Sequence, residues 1–138
     1  MIAHQAEIVV RTAPGAFHDI TGDVARIVAD SSVRTGLVTV FVRHTSASLV
    51  IQENADPSVR RDLEHWLAEL APIARGWEHG AEGPDDMPAH AKAALTSTSE
   101  SIPVTAGRLA LGTWQALYLW EHRARPHRRT VVVHVAGI

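Results

Sequence analysis

Two β-branched runs, LVTVFVR at 37–43 and TVVVHVA at 130–136, set the terms on which this chain folds. β-Branched residues favour extended backbone, so both runs read as strands. Neither alternates cleanly between apolar and polar residues, so both are apolar on their two faces. Helices can cover one of those faces. A second subunit is expected to cover the other, which predicts a homo-oligomer. A chain of 138 residues supplies one domain, spanning 1–138, and buries roughly two-thirds of its unfolded surface on folding.

The remaining elements follow from local signals. Residues 3–11 form a first strand that Ala13-Pro14-Gly15 breaks, and Phe17–Thr21 a short second one. Thr21 fits a helix N-cap, with Val24, Ile27, Val28 and Ser31 on one face and Gly36 just past the end. Residues 48–53 read as a strand, and the short HTSA stretch before it predicts a hairpin with 37–43. Asp56-Pro57 opens an amphipathic helix carrying Val59, Leu63, Trp66, Leu67 and Leu70. A loop at 75–88 leads to a short helix from Pro88 to about Ser97. Ser101–Val104 is extended, 109–121 is a long strand and 123–129 is a basic turn. The order predicts an α+β fold: a mostly antiparallel sheet packed with two to three helices.

Composition excludes several functions. Apolar residues make up 46%, charged residues 20%, and the net charge is -2, so neither disorder nor nucleic-acid binding is expected. With no cysteine there is no disulfide framework, Cys-ligated zinc or thiol nucleophile. No signal peptide is legible at the start, and no apolar run approaches the roughly 20 residues of a membrane span. A cytoplasmic protein with no membrane partner is the expectation.

No P-loop, GxGxxG, GxSxG or HExxH motif is present, so the chemistry must sit in scattered polar residues. His44 ends the apolar row Val38, Val40, Val42. It is either a metal ligand or proton carrier, or a core histidine satisfied by hydrogen bonds. Glu53 ends the row Leu49, Ile51 and precedes Asn54 and Asp56. It is either a catalytic carboxylate or the organiser of a turn. His79 and His90 flank an acidic loop with Glu82, Asp85 and Asp86. Two or three His with a carboxylate suit zinc or a similar metal, and a solvated loop is the alternative. Lys92, the sole lysine, can contact phosphate, act as a base, or lie on the surface. Within Gly112-Thr113-Trp114-Gln115, Trp114 can stack on a ring and Gln115 read its edge, or the Trp fills a core or interface. Arg123, Arg125, Arg128 and Arg129 form a basic cluster, either a phosphate site or a solvated turn. His134 reads as a core residue, and His4, His18, His65, His122 and His127 carry no assignment. A hairpin closed near 45–47 would hold His44 and Glu53 about 17 Å apart, so a site using both would need a subunit interface.

The segments FVRHTSASLVIQENADPSVRRDL, PAHAKAAL, IPVTAGRLALGTWQALYL and RRTVVV resemble the YjbQ-type proteins, the secondary thiamine-phosphate synthase family. The resemblance implies a compact, trimeric α+β domain. It places His44, Glu53, Asn54, Asp62, His79, His90, Trp114 and Gln115 on the family's characteristic positions. It leads one to expect a Gly/Asn-rich stretch where Pro84–Pro88 stands. The implied activity joins a pyrimidine pyrophosphate to a thiazole phosphate, releasing pyrophosphate, as a secondary activity. In this reading His44, Glu53, His90 and Lys92 are catalytic, and Asn54, Trp114, Gln115 and Arg128 bind a small phosphorylated metabolite. A divalent ion, zinc or magnesium, sits on His44, His79 and His90. The alternatives are a metal- or small-molecule-binding protein without turnover, and a metal-dependent hydrolase of a phosphorylated metabolite.

Overall fold

The computed structural model describes residues 1–138 as two antiparallel sheets with three helices. The strands are β1 (Ile2–Arg11), β2 (Phe17–Asp19), β3 (Thr35–Val42), β4 (Ala47–Glu53), β5 (Ser99–Thr105), β6 (Arg108–Leu109), β7 (Gln115–Glu121) and β8 (Arg128–Gly137). The helices are α1 (Thr21–Ser31), α2 (Pro57–Leu70) and α3 (Asp86–Leu95). One sheet has the order β1-β8-β3-β5-β6 and the other β2-β7-β4.

The two β-branched runs are neighbours at the centre of the larger sheet, with Val38 opposite Val135 and Val40 opposite Val133. Alternation turns Val38, Val40, Val42, Val131, Val133 and Val135 into the core, all fully buried. Leu49, Leu117 and Leu119 of the smaller sheet and Val24 and Val28 of α1 join the same cluster. The opposite face carries Leu37, Phe41 and Val9, each close to half exposed. Gly36 lies where β3 meets the end of β8. A Cβ there would collide with the Ala136 carbonyl and stand 2.8 Å from the Gly137 Cα, so the close pairing requires glycine.

Three local expectations are corrected. β3 and β4 are not a hairpin: both edges of β3 are taken, by β8 and β5, and β4 pairs with β7. HTSA is therefore a corner that carries the chain between sheets, which the absence of a Gly or Asn turn residue permits. The strand expected over 109–121 is split. Gln115 donates its backbone N–H to Gly112 O at 3.1 Å, and the turn separates β6 from β7. α1 has Ile20, not Thr21, at its N-cap and no side-chain cap; Asp19 Oδ1 accepts the Thr21 N–H at 2.9 Å in the turn before it, and the helix ends at Ser32 in the left-handed region rather than at Gly36. α2 begins as expected: Asp56 Oδ1 accepts the Ser58 N–H at 2.9 Å with Pro57 in the first turn. No helix is long and apolar enough to cross a membrane.

Candidate functional site

α3 begins at Asp86, two residues before Pro88. That small shift puts Asp86 and His90 four apart on one helical face. Asp86 is 2% exposed, and both its oxygens are engaged. Oδ2 lies 2.7 Å from His79 Nε2 and 3.1 Å from His90 Nε2. Oδ1 pairs with Arg123 Nη1 at 3.0 Å. His90 Nδ1 lies 2.9 Å from the Thr45 carbonyl, supplied by the corner between the two sheets. A carbonyl only accepts, so Nδ1 is the donor. The neutral ring therefore turns its Nε2 lone pair toward a carboxylate oxygen. Two acceptors facing one another at this distance call for a positive charge, either a ring proton or a bound cation.

The ligand atoms of His79, Asp86 and His90 all lie within 4.8 Å of one another. Two imidazoles and a carboxylate suit zinc and similar borderline ions. The supporting contacts also fit: a carbonyl orients one histidine, and a guanidinium holds the carboxylate by its other oxygen. Arg123 is buried and closed on three acceptors, Asp85 Oδ2 at 2.9 Å, Asp86 Oδ1 and the Glu82 carbonyl at 3.0 Å. Hydrogen bonding to Arg123 holds the Asp85 carboxyl down at about 2. The hydrogen bond from His79 similarly lowers Asp86 against the opposing effect of burial. Beside His79 opens a cavity of about 590 Å³, walled by Trp77, Met87 and the 78–81 loop. Trp77 is held by its Nε1–H on the Pro72 carbonyl at 2.9 Å, with the Arg75 guanidinium 4.6 Å from its ring centroid.

The residues singled out in the sequence divide into separate places. His79 and His90 converge. His44 stands outside their cluster: its Nε2 accepts the Thr130 N–H at 2.8 Å, which leaves the proton on Nδ1. Burial and the charges of Arg129 and Arg43 lower its pKa. His44 and His90 do border a common cavity of about 290 Å³, with Thr45 and Thr98. Lys92 lies on the other side of α3, in a cavity with His122 and Arg123. Glu53, Asn54, Trp114 and Gln115 gather at the far end of β4 and β7, where Glu53 is paired with Gln115. From Ala47 to Glu53 the strand runs about 20 Å at strand rise.

Side chains at that far end serve the backbone. Glu53 Oε2 accepts the N–H groups of Ala55 and Asp56 at 3.0 and 2.9 Å. The Asn54 side-chain amide donates to the Thr113 carbonyl at 3.4 Å while its backbone N–H donates to the Trp114 carbonyl, and Gln115 Oε1 accepts the Gly112 N–H at 2.8 Å. Trp114 is 62% exposed. The basic cluster also separates. Arg129 is buried against Glu121, which also accepts the Thr12 hydroxyl at 2.6 Å, while Arg128 is exposed at the start of β8.

The sequence marks Asp86 only as one of three acids in the loop between the histidines and Arg123 only as one of four clustered arginines, and it carries no signal for the Thr45 carbonyl. The signal for Asp86 was its four-residue spacing to His90, legible only with the helix start at Asp86. The Pro84–Pro88 stretch that departs from a Gly/Asn-rich expectation supplies both acidic residues.

A two-sheet α+β domain with a His-Asp-His cluster at a sheet corner is the class that fold and site define. The profile described as UPF0047 protein YjbQ-like matches residues 6–138, so the chain belongs to the YjbQ/UPF0047 family. It is 56% identical over 135 residues to UPF0047 protein sll1880 of Synechocystis, covering 97% of this chain and 92% of that protein. It is 39% identical to the YjbQ protein of Salmonella typhimurium over 97% of this chain and 98% of that one. A Sulfolobus solfataricus crystal structure, described as a YbjQ-like protein of unknown function, superposes with a TM-score of 0.92 at 28% identity, covering 99% and 98%. A Clostridium acetobutylicum protein of the family superposes with a TM-score of 0.88 at 38% identity, covering 95% and 99%.

Proposed function

We propose that this chain is a divalent-metal-dependent enzyme acting on a small phosphorylated metabolite, with the ion held by His79, Asp86 and His90. The observation that carries this is the convergence of both Nε2 atoms on one buried carboxylate oxygen, with the His90 tautomer fixed from behind by Thr45 O. Zinc fits the two imidazoles better than magnesium does. An ion held there by His79, Asp86 and His90 would supply positive charge to a departing phosphate group.

Within that class, the transfer expected of a thiamine-phosphate synthase is the reaction we assign, as a secondary activity. A C–O bond to pyrophosphate breaks, a C–N bond to the thiazole nitrogen forms, and pyrophosphate leaves with the bonding pair. Arg123 keeps Asp86 fixed through Oδ1 while Oδ2 faces the ion. Trp77 and Met87 offer an apolar wall beside His79 for a planar ring, a role that falls to Trp77 rather than to Trp114. His44, with its proton on Nδ1, borders the cavity on the other side of His90 and is the nearby proton carrier.

A homotrimer belongs to the same reading. Its support is the apolar outer face at Leu37, Phe41 and Val9 and the exposed α2 residues Trp66 and Leu70. A cytoplasmic address belongs to it too, supported by the lack of cysteine.

The test is thiamine phosphate formation by purified protein, wild type beside His90→Ala, with and without Zn²⁺ or Mg²⁺. Metal-dependent product from the wild type and none from a folded variant is the expected result. Product formed equally by both, or no product and no phosphate release from either substrate, would overturn the assignment.

A further inference from the structure

The two sides of the His-Asp-His cluster are held by separate chains of contacts, and both chains lead back to one buried ion pair. Glu121, the last residue of β7, is fully buried, and Arg129, the second residue of β8, is 4% exposed. Glu121 Oε1 accepts from Arg129 Nε at 2.8 Å and from the Thr12 hydroxyl at 2.6 Å. Its Oε2 accepts from Arg129 Nη2 and from the Arg123 N–H, the latter at 3.0 Å.

The first chain runs from Arg129 to His90. Arg129 Nη2 reaches beyond Glu121 to Ser46, donating to Oγ at 3.0 Å and to the carbonyl at 3.2 Å. The His122 N–H meets the same carbonyl at 3.2 Å. On the other side of Thr45, His44 Nε2 accepts the Thr130 N–H, and the Arg43 N–H bonds to Thr130 O at 3.1 Å. The 43–46 corner has no Gly or Pro to define its path, so residues of β7 and β8 define it from outside. Thr45 itself is exposed. Its anchored neighbours therefore fix where its carbonyl points, and that carbonyl takes the His90 Nδ1–H. The second chain runs from Glu121 through the Arg123 backbone to the Arg123 guanidinium, which holds Asp86 Oδ1.

A buried ion pair returns little net stability, because desolvation offsets its attraction. What it supplies is direction. The planar guanidinium serves Glu121 through two nitrogens and bridges to Ser46 with one of them, a geometry that a single ammonium does not reproduce. Contacts of this kind behind a metal ligand set its orientation and its affinity for the ion.

We propose that Arg129 is a positioning residue of the metal centre, fixing the His90 ring through Ser46 and the Thr45 carbonyl, with Glu121 as the anchor it shares with Arg123 and Asp86. The inference rests on the reading of His79, Asp86 and His90 as metal ligands. Arg129 itself touches none of the three.

The test compares full-length wild type with Arg129→Lys, which keeps a cation against Glu121 and gives up the fork. Metal-stripped protein is titrated with Co²⁺, whose visible absorption reports ligand geometry, and the metal-free variant is crystallised. The expected result is a Co²⁺ affinity at least about tenfold weaker, with an altered spectrum. In the metal-free crystal the His90 Nδ1 to Thr45 O contact should open beyond hydrogen-bonding distance. A folded variant that binds Co²⁺ with wild-type affinity and spectrum overturns the proposal, however far its melting temperature falls. If Arg129→Lys does not fold, Ser46→Ala takes its place: it removes one end of the bridge and leaves the ion pair intact. A weaker affinity in that variant supports the proposal, and an unaltered one overturns it. If the wild type binds no Co²⁺, it is the metal reading that fails. The His90–Thr45 contact in the metal-free variant then decides alone: broken, it supports the positioning role of Arg129, and intact, it overturns it.

Discussion

The three-stranded sheet has two ends, and both display carboxylate and amide or imidazole side chains. At the Ala47–Glu121 end, His79, Asp86, His90 and Arg123 close on one another, and a carboxylate is buried with both oxygens engaged. At the Glu53–Gln115 end, Glu53, Asn54 and Gln115 each bond to backbone groups of a turn, with Trp114 projecting outward. The difference is what supports the polar groups. One end is backed by a helix and a sheet corner that bury Asp86 and Arg123, so desolvation forces those charges to pair. The other is an open turn, where the same residue types satisfy orphan N–H and C=O groups. Residue type alone does not distinguish a site from a turn. Burial and convergence do.

The contrast is most severely tested by Arg123→Ala. It leaves Asp85 and Asp86 without their cation, and we expect a loss of about 3 kcal/mol in chemical denaturation. That is the low end for a buried pair, because the Ala124 N–H and His79 still serve the carboxylates. Asp86→Asn is milder on the fold but removes a charged ligand. Zinc affinity should fall at least about a hundredfold by titration calorimetry.

Acid sharpens the same contrast. The folded His122 titrates at about 3, well below its ordinary 6.5, because it is buried neutral. Its folded pKa is lowered, so its contribution is present above the unfolded value. As pH falls from about 6.5 toward 3, the unfolded chain takes up a proton that the fold refuses, and stability drops. Asp85 adds a later loss: depressed to about 2 by Arg123, it stabilises above about 3.8 and ceases to as pH falls through 2. The melting temperature should decline in those two windows, and Asp85→Asn should shrink the lower one, to which the depressed Asp86 and Glu121 also contribute, while leaving the upper one in place. The smallest effects belong to the other end. Trp114→Ala is expected to change stability by no more than about 0.5 kcal/mol and to leave zinc binding unaltered. A loss of zinc binding there would erase the distinction between the ends.

The strands at the centre were legible because hydrophobic runs that long admit few other readings. The pairing was not. Val38–Val42 and Leu49–Ile51 look like two arms of a hairpin until the demand of β8 for both a β1 and a β3 neighbour is known. His79 and His90 were legible as a pair flanking acids. Asp86 was hidden by a helix boundary misplaced by two residues, and Arg123 by its place in an Arg-rich turn where four guanidiniums look alike. Only the fold separates the two that are buried, Arg123 and Arg129, from the exposed Arg125 and Arg128. Glu53 ended an apolar row just as His44 did, and of its two readings, catalytic carboxylate or turn organiser, the fold shows the second, with Oε2 accepting from Ala55 and Asp56.

The most direct test of the metal centre is zinc titration into metal-stripped protein, wild type beside His90→Ala, Trp114→Ala and His44→Ala. The account predicts one ion per chain, abolished in His90→Ala and retained in the other two. Absence of binding in the wild type, or binding that survives His90→Ala and is lost in His44→Ala, would contradict it.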